Sequence, residues 1–192
     1  MIVTKDQLRS VLSYEKNLYL PAESRLELTL TSDNRLKIYR YLVTLRSTEY
    51  HYNNRKSLFH KFLYLIYRRK KNILGRKLGL EISENSFDSG LMIYHPSGVV
   101  VNGYARIGKA CKLHGNNCIG NDGQSIDAPT LGERVRLGVG AKIIGGITIA
   151  DDVTVAAGAV VIESCNIPGA VLAGVPARCV KVKSIIEENV CE

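Results

Sequence analysis

In this 192-residue chain the side chains suited to chemistry near neutral pH are few: four histidines, His51, His60, His95 and His114, and five cysteines. Imidazole is the side chain whose ordinary pKa lies closest to neutrality, which lets it take up and release protons there. The cysteines, Cys111, Cys118, Cys165, Cys179 and Cys191, show no C-x-x-C spacing and no partner histidines at finger-like distances. A zinc site is therefore not expected, and free thiols fit a reducing cytoplasm.

The four histidines divide between two unlike halves. Residues 1–78 read as helical, with a first segment at Lys5–Tyr19 closed by Pro21 and a turn at Ser32-Asp33-Asn34. Two longer helices follow. Asn34–Tyr50 places Ile38, Tyr41, Leu42 and Leu45 at helical spacing, and Lys56–Leu74 does so with Phe59, Phe62, Leu63 and Ile66, with a break at Asn53-Asn54. His51 and His60 belong to this half.

From Val101 the spacing changes to a strict period of six. The hexads VNGYAR, IGKACK, LHGNNC, IGNDGQ, SIDAPT, LGERVR, LGVGAK, IIGGIT, IADDVT, VAAGAV, VIESCN and IPGAVL open with Val, Ile or Leu in every case but SIDAPT. Small residues or valine recur at the fifth position, among them Cys111 and Cys165, and glycine at the second (Gly108, Gly120, Gly132, Gly138). A six-residue period is the signature of a left-handed parallel β-helix, a triangular prism with three short strands per coil and the large aliphatic side chains turned inward. SIDAPT keeps the phase, but Asp127-Ala128-Pro129 cannot make a regular strand, so it is expected to loop out at a corner. The fold class is thus mainly β, with domains at 1–78 (helical), 79–182 (β-helix) and 183–192 (a tail, with a short polar helix at 184–189). Glycines at the second position serve tight corners or leave backbone open to a ligand. A flat-sided prism has no pocket of its own, which makes a homotrimer with clefts between prisms the natural assembly.

One stretch is more specific. GLEISENSFDSGLMIYHPSGVVVNGYARIG (79–108), the repeats and AGVPARCV (173–180) together resemble the serine acetyltransferase family of hexapeptide-repeat acyltransferases, and most of all its short members from bacterial polysaccharide clusters. The resemblance implies transfer of acetyl from acetyl-CoA to a hydroxyl. It assigns His95 as the general base that takes the hydroxyl proton, a role imidazole suits. The family sets an aspartate about fifteen residues upstream to hold the second ring nitrogen. Glu81 occupies that place if one residue is deleted, and Asp88 competes with it. His114, one coil later, is expected near the cleft. For the coenzyme the resemblance implies Val139 and Ala157 as backbone partners of the pantetheine arm, Asn121 near the thioester and Arg178 near the phosphates. A lysine of related enzymes after the VAAGAV-type hexad is replaced by Ile162-Glu163. Carbonic anhydrases with the same prism use three histidines on a metal, and this half has two, so no metal is expected.

The acceptor is read from the extended loop. Serine acetyltransferases carry an arginine–histidine pair before its proline to grip the amino-acid carboxylate; here Asp127-Ala128-Pro129 stands instead, with no arginine between Arg106 and Arg134. A carboxylate at 127 accepts hydrogen bonds from sugar hydroxyls, so the expected acceptor is a sugar of a polysaccharide or cell-surface glycan, with L-serine as the alternative and a non-catalytic scaffold as a second.

Charge adds one more expectation. The net charge is +8, with 17 Lys/Arg against 6 Asp/Glu in residues 1–80, or +11, and 9 against 12 in the remainder, or −3. The commonest meaning of such a basic half is a solvated helix face, and no nucleic-acid partner is expected. The run Arg68-Arg69-Lys70-Lys71 suits either a helix C-terminus or a peripheral contact with an anionic membrane. The N-terminus lacks the apolar core of a signal peptide and no run of about 18 apolar residues occurs, so the expected location is cytoplasmic.

Overall fold

The computed structural model describes residues 1–20 and 25–183, so Pro21 and the tail helix expected at 184–189 lie outside the described residues. Helix α1 runs Lys5–Tyr19, with Thr4 and Gln7 forming a capping box at its start. A short α2, Arg25–Leu30, precedes α3, Asn34–Asn53, whose first turn is capped by the Asp33 carboxylate accepting from Arg35 N–H. Helix α4, Leu58–Leu78, ends at Gly79 in the left-handed conformation. It is a turn longer than its apolar spacing suggested. Arg68–Lys71 therefore lies inside the helix and not at its end, and the helix-dipole explanation of that run fails.

The remainder winds through three parallel sheets in turn, here I, II and III. The first coil is β1 (Leu80–Ile82) on sheet I, Phe87 bridging to Ile107 on sheet II, and β2 (Met92–Ile93) on sheet III. The second is β3 (Val99–Val101), β4 (Arg106–Ile107) and β5 (Lys112–Leu113). The third is β6 (Cys118–Gly120), β7 (Thr130–Leu131) and β8 (Arg136–Leu137). The fourth is β9 (Lys142–Ile144), β10 (Thr148–Ile149) and β11 (Thr154–Val155). The fifth is β12 (Val160–Val161), Cys165 bridging to Ile149, and β13 (Ala170–Gly174), after which β14 (Ala177–Val182) folds back antiparallel on β13.

Register explains the hexads. Val101 pairs with Ile119 and Ile143 with Val161, each 18 residues on, whereas Ile119 pairs with Ile143 because 121–129 loops out. The inward residues Ile107, Leu113, Ile119, Leu137, Ile143, Val155 and Val161 are buried, as are Cys111 and Cys165 at the small positions. Burial pushes the Cys111 thiol up to about 12, so it packs as a neutral small side chain.

The coil starts one turn before the hexad register does. Ile93 to Val101 takes eight residues where Leu113 to Ile119 takes six, so two extra residues widen the corner that carries His95. Most of the recurring glycines have a packing reason. A Cβ at Gly138 would lie 2.6 Å from the Ala157 nitrogen, and one at Gly108 2.6 Å from the Gly132 carbonyl oxygen. The next coil rests directly on them.

The helices cap the first coil through buried polar contacts. Arg46 on α3 is 1% exposed; its guanidinium donates to Glu15 on α1 (2.7 Å), to Glu49 (2.9 Å) and to the carbonyls of Phe87 (2.9 Å) and Asp88 (2.7 Å). The carboxylates close the network, Glu15 accepting from Gly90 N–H and Glu49 from Asn85 N–H. Tyr19 donates to the Leu91 carbonyl and accepts from Ile93 N–H, and Lys71 donates to the Ile82 carbonyl and Glu84. Ile38, Tyr41, Leu42 and Leu45 of α3 are buried, but Phe59, Phe62 and Ile66 of α4 face outward.

Candidate active site

The corner between sheets III and I collects four of the sequence-predicted residues in one column. His95 follows β2, His114 follows β5, Val139 follows β8 and Ala157 follows β11. Backbone hydrogen bonds tie successive turns together: Asn116 N–H to Ser97 O (2.5 Å), Gly140 N–H to Gly115 O (3.0 Å) and Gly158 N–H to Val139 O (2.9 Å). Gly115, at φ +105, must be glycine, because a Cβ there would lie 2.8 Å from the His95 carbonyl oxygen.

The His95 side chain is exposed, and its ring makes no hydrogen bond among the described residues. His114 is half-buried and stacks on Tyr94, with ring centroids 4.5 Å apart. Burial holds its pKa below the usual value, and the neighbouring His95, Lys112 and Arg136 act in the same direction. Lys112 and Arg136 pair in register on sheet III. The column is thus a row of imidazole and cationic groups. Further along it, neither Val139 N–H nor Ala157 N–H meets an acceptor among the described residues, and both residues are exposed. Two open amide donors one coil apart suit the carbonyls of an extended amide-containing chain such as pantetheine.

The other predicted residues lie elsewhere on the chain. Asn121 and Asp127 stand on the corner between sheets I and II. Asn121 donates to the Ser125 carbonyl and Asp127 accepts from the Ser125 hydroxyl, so both brace the 121–129 loop. Glu81 is on β1, paired in register with Val100, and lines a cleft of about 480 Å³ under α4 that also reaches Gly98. No hydrogen bond or ion pair joins it to His95 among the described residues. Asp88 lines a different and larger cavity, about 910 Å³, between α1 and sheet II, where it pairs with the N-terminal amine at 3.8 Å. Arg178 is on β14 and pairs with Glu163 at 3.0 Å, both exposed.

Sequence reasoning missed Asn117, Lys112 and Arg136. Asn117 is buried beneath the column; it accepts from Gly115 N–H and donates to the carbonyls of Gly138 and Ala141. It stands at the fifth position of LHGNNC, where other hexads carry Ala, Cys or Val. The two cations were lost among outward positions that tolerate any polar side chain.

No family model matches the chain. It is 32% identical over 117 residues to a serine acetyltransferase of Helicobacter pylori, an overlap covering 55% of this chain and 68% of that one. The chain belongs to the serine acetyltransferase family. A serine acetyltransferase of Synechococcus elongatus is 29% identical over 131 residues, 62% of this chain and 53% of its own length, so the present chain spans only about half of that relative. Among solved structures, serine acetyltransferase of Brucella abortus strain S19 in complex with coenzyme A superposes with a TM-score of 0.67 at 24% identity, covering 92% of this chain and 67% of that one. That likeness extends the family fold through the helical half as well as the coil.

Proposed function

We propose that this chain is an acetyl-CoA-dependent O-acetyltransferase, a left-handed β-helix in which His95 is the general base. The observation that carries this reading is the III–I column, which sets an exposed imidazole at one end and the open amides of Val139 and Ala157 further along. In the reaction the acceptor hydroxyl gives its proton to His95 as its oxygen attacks the thioester carbonyl. The amides hold the pantetheine arm in place, and Glu81 reaches the imidazolium only if the widened His95 corner closes toward β1. Arg178, with Glu163 as its present partner, serves the coenzyme phosphates, and Asn121 braces a loop that only a neighbouring prism would bring beside the thioester. Three prisms packed in parallel bring the III–I corner of one against a neighbour and complete the cleft.

The relatives' names favour L-serine as acceptor over the sugar first expected. Lys112 and Arg136, beside His114, offer the positive charge for an amino-acid carboxylate that the 127–129 loop lacks. One observation favours a sugar: Asp127 is a carboxylate in that loop, while Arg106 is engaged by the Gly103 and Ala105 carbonyls and Arg134 by Asp152. Turnover with acetyl-CoA against L-serine and a panel of saccharides tests both. Efficient O-acetylserine formation at millimolar serine establishes the amino-acid acceptor, and turnover only with saccharides the other. His95→Ala should lower either rate by about 10² to 10⁴ with the fold intact. Undiminished turnover in that variant would remove His95 from the mechanism.

A further inference from the structure

Helix α4 presents an outward face that nothing among the described residues covers. Leu58, Phe59, Phe62, Leu65, Ile66 and Ile73 lie on one side of it, between 37% and 83% exposed. Leu58, Phe59, Phe62, Leu65 and Ile66 make a contiguous apolar row, which in water marks a contact surface, and Arg69 separates Ile73 from it. The same helix has no acidic residue in its 21 positions, and Lys61, Arg68, Arg69, Lys70, Arg76 and Lys77 are exposed along it. Arg68, Arg69 and Arg76 also surround a shallow depression of about 400 Å³ with Asn72, Leu65 and Ile73. Lys71 takes no part, since it is turned inward onto Glu84.

We propose that α4 docks this protein on an anionic lipid surface, with the apolar row entering the boundary between headgroups and acyl chains. The arginine-lined depression receives a lipid phosphate. Charge complementarity selects this occupant: a helix whose apolar row gives way to exposed cations in its second half, with no carboxylate, matches a surface that is itself apolar beneath and anionic above. A second copy of the same helix would set cation against cation. No helix of the described residues is long and apolar enough to cross a membrane, so the contact is peripheral.

The test is co-sedimentation of the full chain with vesicles of phosphatidylcholine alone and of phosphatidylcholine with phosphatidylglycerol. Binding to the mixed vesicles is expected, weakened by salt and by at least about tenfold in Arg69→Glu. Phe62→Ser with Ile66→Ser should reduce it independently of salt. Circular dichroism checks that each variant is folded, and acetyl transfer to a soluble acceptor should be unchanged in both. Equal binding to the two vesicle types, or none to either, overturns the proposal. So does a light-scattering mass that halves in the Phe62→Ser, Ile66→Ser variant, which would assign the face to a second copy.

Discussion

At the scale of residues, the buried Arg46 decides whether the helices and the coil stay together. Its removal leaves Glu15 and Glu49 charged in the interior, where burial already raises the Glu49 carboxyl and Arg46 opposes it. Arg46→Met should therefore cost about 3–5 kcal/mol, read by urea unfolding, because a stranded buried charge is worse than none. A second prediction concerns His51 and His60, whose Nδ1 atoms lie 2.8 Å apart, with Tyr67 stacked on His51. That geometry holds one proton between the rings. Burial, then the charge of His60, keeps the His51 pKa below its usual value, and His114 is lowered in the same sense. The unfolded chain binds a proton near pH 6.5 and the folded one only lower, so stability falls as pH drops below about 6.5. Melting temperatures between pH 7.5 and 5.5 should show that fall, and His51→Phe should flatten it. The place of His95 just ahead of the repeats was legible because a short motif surrounds it. Arg46 and its carboxylates were not, since Glu15 and Arg46 are 31 residues apart and no spacing rule links them.

At the scale of elements, the coil repeats its backbone as well as its core. Ala110, Asn116, Arg134, Gly140, Asp152 and Gly158 share one hexad position, and all have positive φ. Arg134 and Asp152, stacked on adjacent coils, turn that position into an ion pair with contacts of 2.7 and 2.8 Å. Ala110 has no such compensation, so Ala110→Gly should stabilise the protein by about 1 kcal/mol through relief of a left-handed alanine. Gly138→Ala should do the reverse, by about 1–3 kcal/mol, because its Cβ meets the backbone of the next turn. Thermal unfolding of the two variants reads both signs. The period of six was visible because each inward position demands an aliphatic residue. The first coil, inside the expected 79–182 domain, falls outside the hexad register because the widened His95 corner shifts its phase by two residues, and Ile82 to Phe87 is one residue short.

At the scale of the whole molecule, the proposed site lies along an open prism edge, and the proposed trimer would complete its cleft with a neighbour. Light scattering should give a trimer, and a stable monomer with full acetyl transfer would contradict the shared cleft. The helices were legible as helices from their spacing, but which face of α4 is covered depends on tertiary packing that a periodic pattern does not encode. From His95 to Ala157 is three coils, roughly 14 Å at ordinary interstrand spacing. The prism edge is therefore a ruler graduated in rungs, and the distance from the His95 imidazole to the Ala157 amide is quantised. Side-chain substitutions can change what stands at either end, but only gain or loss of a whole coil between His95 and Ala157 can change the length of arm that the proposed site would measure.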